Sequence, residues 1–190
     1  MKNKKIYAVV GMAGSGKSEV IKFLQNKFGW PKVYFGEPTF DRMKEDGMEL
    51  NYENERITRE KIRKELGMGG YAILCLPKIK KLLESSDIVL VESLYSWDEY
   101  KILKNEFNDS FEVIASYASP KIRFDRLKKR IERPINDFET FKTRDWSEIE
   151  GTDKGGPIAI ADFTLINQTT IKDLYFQINE LNLIEKIKNI

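Results

Sequence analysis

Ile6-Tyr7-Ala8-Val9-Val10-Gly11-Met12-Ala13-Gly14-Ser15-Gly16-Lys17-Ser18 decides the fold. A short apolar run rich in branched residues meets a glycine-rich turn, and a helical pattern begins at Lys17. An unbroken apolar run bounded by glycines reads as a strand buried on both faces, as in a parallel sheet. Gly11, four intervening residues, then Gly16-Lys17-Ser18 is the spacing of a phosphate-binding loop. The glycines allow backbone conformations that let successive N–H groups converge on an anion. The helix that follows points its positive end at the same anion. Lys17 then reaches the terminal phosphates of a nucleotide, and the Ser18 hydroxyl is placed to ligate Mg²⁺. Gly11, Ala13, Gly14, Ser15, Gly16, Lys17, Ser18 and the adjoining Glu19 form the candidate nucleotide site.

Outward from the loop, Val20, Ile21, Leu24 and Phe28 share one helix face, and Gly29 stands at the C′ position. Lys32–Gly36, Asp87–Val91, Phe111–Tyr117 and Ala161–Ile166 read as four further strands. Residues 53–66 form a charged helix and 71–83 an apolar one, which Pro77 is expected to kink or split. Ser119-Pro120 resembles an N-cap with proline at N1. Asp137 is placed to cap a helix through Ile149, Gly151–Pro157 reads as a loop, and Thr170 with Asp173 as a capping box. Strands alternating with helices predict an α/β fold, a five-stranded parallel sheet with helices on both faces.

The 190 residues suit a single domain, 1–190. Residues 1–36, 85–119 and 158–190 form its core, with insertions at 37–84 and 120–157. Lys plus Arg total 32 against 30 for Asp plus Glu, so no global field draws in nucleic acid, and a nucleic-acid partner is not expected. There is no histidine and one cysteine, Cys75. A zinc site of Cys and His, an internal disulfide and a histidine base are excluded. No apolar run reaches the ~20 residues of a membrane span, and a cytoplasmic protein is expected.

Two carboxylates lie where a metal or acceptor partner belongs. Glu92 closes the third strand, and Glu37 follows the second. Arg123, Arg126, Arg130, Arg133 and Arg144 cluster beyond the fourth strand, a pattern suited to clamping transferring phosphates.

These residues resemble the P-loop proteins related to adenylate kinase and dephospho-CoA kinase. The resemblance runs from about Ile6 to Leu181. It is carried by Gly11–Ser18, Gly36-Glu37, Arg63 before Gly67, and Ser119 to Leu127 with its Arg-Phe-Asp-Arg-Leu stretch. Arg130, Arg133, Arg144-Asp145, and Ile158 to Asp162 with Asn167 complete it. It implies a nucleoside-monophosphate-kinase type of fold, with 37–84 as the acceptor-binding insertion and 120–157 as the lid. By the same resemblance Arg126 stacks on the adenine and Asn167 and Gln168 lie beside it. Arg130 holds the γ-phosphate, Arg133 and Arg144 bridge donor and acceptor phosphates, and Arg63 faces the acceptor phosphate.

The acceptor half departs from the relatives. Phe40 stands where they carry an arginine, leaving Arg42 to substitute, and Tyr95 replaces a second arginine. The expected activity is an ATP- and Mg²⁺-dependent transfer of the γ-phosphoryl group to a small acceptor. Lys17, Arg130, Arg133, Arg144 and Glu37 form the catalytic set, with Glu37 a candidate base. Glu37, Phe40, Arg42, Arg63, Glu92, Tyr95 and Arg123 face the acceptor, and Ser18 and Glu92 the metal. The acceptor is a nucleoside monophosphate or a dephospho-CoA-like hydroxyl compound, and the chain a monomer or homodimer. The alternative is a nucleotide-binding switch that acts on a partner protein.

Overall fold

The computed structural model describes residues 4–131 and 133–183. Its strands are β1 (Lys5–Val10), β2 (Lys32–Tyr34), β3 (Ile88–Glu92), β4 (Phe111–Tyr117) and β5 (Phe163–Ile166). Its α-helices are α1 (Lys17–Phe28), α2 (Glu37–Glu45), α3 (Tyr52–Leu66), α4 (Gly70–Ser85), α5 (Trp97–Phe107), α6 (Pro120–Lys128), α7 (Phe138–Glu150), α8 (Gly155–Ala159) and α9 (Ile171–Glu180).

β1 is buried along its whole length and lies at the centre of the sheet. Tyr7 pairs with Leu90 on one side, and Val9 with Ile114 on the other. The strand order is β2-β3-β1-β4-β5, every pairing parallel. Side-chain alternation explains the unbroken apolar run. Ile6, Ala8 and Val10 face a layer with Cys75, Ile79 and Leu83 of α4 and Leu103 and Phe107 of α5. Tyr7 and Val9 face the opposite layer, with Val20, Ile21 and Leu24 of α1 and Leu174 and Ile178 of α9. Each such buried aliphatic side chain contributes about 1.5–3 kcal/mol. Gly29 ends α1 in the left-handed conformation (φ 69°), its N–H donating to the Gln25 carbonyl at 2.8 Å.

The connections leaving β3 and β4 flank β1, so the loop after β1 opens at the point where the strand order reverses. In open α/β sheets ligands bind there, beyond the carboxyl ends of the strands. Helices α2, α3 and α4 fill residues 37–84, and α6, α7 and α8 lie within 120–157.

Four local expectations change. Of the kink or split expected at Pro77, the split does not occur, and α4 runs unbroken from Gly70 to Ser85. Burial of Cys75, Ile79 and Leu83 on either side of it outweighs the ~3 kcal/mol that an interior proline costs. β2 stops at Tyr34, because Gly36 caps α2. The segment read as a loop through Pro157 turns helical at Gly155. The Ser119 hydroxyl makes no cap bond, although Pro120 opens α6 as expected. The sequence reading also lacks α2 and α5. The latter begins with a full capping box, Ser96 and Glu99.

Candidate active site

The loop after β1 is shaped for an anion. Gly11, Gly14 and Gly16 all have positive φ, at 143°, 81° and 100°. At Gly14 a Cβ would also come within 2.8 Å of the Arg123 carbonyl oxygen, so glycine is required there twice over. The buried Ser15 is pinned through its carbonyl, which accepts from Ser116 Oγ and Asn167 Nδ2, both at 2.8 Å. These bonds tie the loop to β4 and to the end of β5. The Ser15 hydroxyl oxygen is buried and has no hydrogen-bond partner. Lys17 Nζ rests on two carbonyl oxygens of its own loop, Gly11 at 2.9 Å and Met12 at 3.1 Å.

Burial pulls the Lys17 ammonium down to about 7. Lys154, Arg130 and Arg144 push the same way, and the Glu148 carboxylate opposes them. A cleft of about 160 Å³ opens here, lined by Gly14, Gly16, Lys17, Ser18, Glu19, Arg126 and Arg130. An orphaned buried hydroxyl, a glycine cradle, a helix N-terminus and desolvated cations fit a phosphate chain. Among the described residues no group of three or more Cys, Asp or Glu is placed to hold a metal alone. A hydroxyl and one carboxylate, Ser18 and Glu92, suit Mg²⁺, which takes one or two protein ligands and completes its shell with phosphates and water. Ser18 and Glu92 are the residues that would hold it. Glu92 is engaged with Lys32 at 2.5 Å.

The lid region presents its arginines unequally. Arg126 donates to the Gly14 carbonyl at 3.4 Å and to Asn167 Oδ1 at 3.1 Å, and burial lowers its pKa. Asn167 therefore spans Arg126 and the loop, while Gln168 accepts from the Ser119 N–H at 3.3 Å. Arg130 is exposed and lines the cleft. Arg133 takes a left-handed backbone (φ 52°) and binds both Glu55 oxygens, at 2.6 and 3.2 Å. Arg144 donates to Glu148 at 3.2 Å.

Arg123 departs from its expected place facing the acceptor. It is buried, pairs with both oxygens of Asp145 at 2.9 and 2.5 Å, and donates to the Ala13 and Ala118 carbonyls at 3.2 Å. Its guanidinium also lies 5.0 Å from the centre of the Phe141 ring. It is a latch between the loop and α7. The reason is steric: the buried face of α6 turns Arg123 and Leu127 inward together.

Among the residues expected to face the acceptor, both Glu37 oxygens accept from Lys78. Phe40 stacks on Tyr34, with ring centres 6.4 Å apart. Arg42 does not fill the place of the missing arginine: it pairs with Asp46 at 3.5 Å, one helical turn on, and with Glu65 of α3 at 3.4 Å. Arg63 keeps a buried Nε with no hydrogen-bond partner. Tyr95 is half-buried, burial raising its phenol pKa first and the Glu148 carboxylate second. Nearby, burial pushes the Glu99 carboxyl up to about 7, against the backbone N–H groups of Tyr95 and Ser96 that it accepts.

Sequence reasoning missed Lys154, Glu148 and Glu55. Glu148 lies one turn after Arg144 on α7, a spacing legible as an ion pair. Glu55 stands in the first turn of a charged helix, with nothing to single it out. Lys154 stood in a segment read as loop.

The fold and this site together define a P-loop protein with a kinase-like architecture. The chain belongs to the UPF0200 family, and its residues 8–147 match the family described as an AAA domain. It is 32% identical over 178 residues to a UPF0200 protein of Thermococcus kodakarensis, covering 93% of this chain and 95% of the relative. A shikimate kinase from Acinetobacter baumannii, solved with shikimate, superposes with a TM-score of 0.58 at 18% identity, covering 97% and 96% of the two chains. A gluconokinase from Sinorhizobium meliloti gives 0.56 at 14% identity, with both chains covered in full. Likeness at that identity is likeness of fold. No helix among the described residues is long and apolar enough to cross a membrane.

Proposed function

We propose that this chain is an ATP- and Mg²⁺-dependent phosphotransferase acting on a small acceptor. The observation that carries the reading is the shared cleft of loop and lid. Gly14, Gly16, Lys17 and Ser18 line it from one side, Arg126 and Arg130 from the other. A bare nucleotide-binding loop needs no such second set of cations. Transfer to an acceptor does, because charge develops on the transferring group and water must be kept out.

Lys17 would hold the β- and γ-phosphates, and Arg126 the nucleotide near Asn167 and Gln168. Arg130, Arg133 and Arg144 would close over the transferring group. Bound Mg²⁺ would neutralise charge on the phosphate oxygens. The acceptor oxygen bonds to the γ-phosphorus as the bond to the bridging oxygen breaks and ADP leaves. With a hydroxyl acceptor, the Glu37 carboxylate takes its proton after release from Lys78. Arg63 anchors the acceptor's own anionic group. A nucleoside monophosphate or a dephospho-CoA-like compound answers that description. The acceptor is small, the protein cytoplasmic, and no nucleic-acid partner is called for.

A coupled assay of ADP release, run with ATP and GTP across such acceptors, tests the reading. An acceptor that raises turnover well above basal hydrolysis supports it. Basal hydrolysis alone, across the whole panel, overturns it. A second reading, a nucleotide-dependent switch acting on a partner protein, draws on apolar side chains in the lid region. Ile131, Phe138 and Trp146 are all at least half exposed there. Partner capture that depends on ATP and fails with ADP would support it.

A further inference from the structure

Lys154 lies at the N-terminal boundary of α8 and is only 2% exposed. Burying an ammonium is costly unless it is paired, and even a paired one rarely adds net stability. Its Nζ meets Glu148 Oε2 at 2.5 Å and sits 4.2 Å from the centre of the Tyr95 ring. The other Glu148 oxygen accepts from Arg144 Nε at 3.2 Å. One carboxylate therefore holds two cations, one on each oxygen. A terminal phosphate offers oxygens to the same two cations in the same way.

This cluster borders the nucleotide loop. Arg123 ties the two together, bonding Asp145 of α7 and the Ala13 carbonyl of the loop at once. The charges acting most on Lys17 are those of Lys154, Glu148, Arg130 and Arg144, with Lys154 first. Glu148 is the carboxylate that contacts both Lys154 and Arg144, with Asp145 acting on Lys154 from farther off, so Lys17, Lys154, Arg130 and Arg144 outnumber the carboxylates that answer them. The excess is positive, and it surrounds the place where Lys17 would meet phosphate.

We propose that Lys154 is a second phosphate-binding lysine, held by Glu148 until a nucleoside triphosphate arrives, and that it selects triphosphate over diphosphate. The inference rests on the donor-site reading above. Glu148 is the resting counterion, and Arg144 exchanges partners together with Lys154. The Tyr95 ring keeps the ammonium in place through the exchange, since a ring face attracts a cation without competing for its hydrogen bonds.

Calorimetric titration of the full chain with a non-hydrolysable triphosphate and with the diphosphate, both with Mg²⁺, tests this. Lys154→Met is expected to weaken the triphosphate about tenfold or more and the diphosphate less than about twofold. Glu148→Gln is expected to tighten the triphosphate several-fold, because a rival anion is removed. An equal loss for both nucleotides in Lys154→Met overturns the proposal. So does a triphosphate affinity that is unchanged or weaker in Glu148→Gln, the variant that decides should Lys154→Met fail to fold. Wild-type protein that binds neither nucleotide overturns the donor-site reading itself. Wild-type binding without the triphosphate-selective loss overturns this inference alone.

Discussion

Cations in two regions of the molecule rest on different oxygens. At the loop of residues 11–18, Lys17 lies on two backbone carbonyls and Arg126 on a carbonyl and an amide oxygen. Around α3 the partners are carboxylates. Arg42 pairs with Asp46 and Glu65, Arg56 with Glu53 and Glu60, and Arg59 and Arg133 with Glu55. A cation on neutral oxygens yields readily to an arriving anion, whereas one in an ion pair must exchange a charge for a charge. Lys17 and Arg126 are therefore the cations readiest to take an anion, and the loop is the side read as the donor site. Around α3, on the side proposed for the acceptor, Arg63 keeps a buried Nε without a hydrogen-bond partner, while Arg42, Arg56 and Arg59 are held in pairs.

The largest expected effect on turnover breaks the proposed donor side. Lys17→Met removes the ammonium over the loop and is expected to lower acceptor-dependent ADP production roughly 10²–10³-fold. Because Lys17 is pulled down to about 7 by burial and by neighbouring cations, bound phosphate should restore its proton. The sign follows: triphosphate affinity is full below pH 7 and falls as pH rises above it, with proton uptake on binding. Titrations at pH 8 in buffers of different ionisation enthalpy measure that uptake. A Lys17→Met variant with wild-type turnover would end the claim that this side is the donor site.

Next comes the latch that makes the donor side rigid. Arg123→Met leaves Asp145 of α7 without its partner and is expected to cost about 3–5 kcal/mol in unfolding free energy, read from urea denaturation. A loss under about 1 kcal/mol would mean that Arg123 is not the link between loop and lid.

These two residues also show what could be read in advance. Lys17 was legible because the loop is contiguous: strand, glycines, lysine and helix lie within thirteen residues, and local geometry alone assigns each task. The parallel sheet was legible for the same reason, from β1's apolar run. Arg123 was seen as one of a cluster, but its role was not legible. Its direction depends on Asp145, Ala13 and Phe141, which lie far from it in sequence. Arg42 failed likewise, since the carboxylate of Glu65 that draws it away belongs to another helix. Lys154 and Glu148 are six residues apart across the turn that ends α7, a spacing that belongs to no regular element, and nothing in the sequence announces the Tyr95 ring beside them.

A smaller effect is expected where the acceptor side is open. Arg63→Ala should raise the KM for an anionic acceptor about tenfold, while the KM for the nucleotide moves less than about twofold. Equal effects on both would place Arg63 in the support of the fold and leave the acceptor's anchor elsewhere.

The smallest effect tests whether ion-paired arginines belong to the site at all. Arg133 reaches across to α3, where it binds the buried Glu55 beside Arg59. Its own side chain is 65% exposed, so solvent screens the pair and its coupling should be modest, about 0.5–1 kcal/mol in a double-mutant cycle of Arg133→Ala and Glu55→Gln. The pair therefore makes better sense as a resting contact that nucleotide displaces than as a support of the fold. That predicts a cycle whose coupling shrinks toward zero once the triphosphate analogue is bound, measured by thermal unfolding with and without it. Coupling that persists unchanged in the bound state would make Arg133 part of the acceptor-side framework, and the boundary between the two sides would move onto the lid.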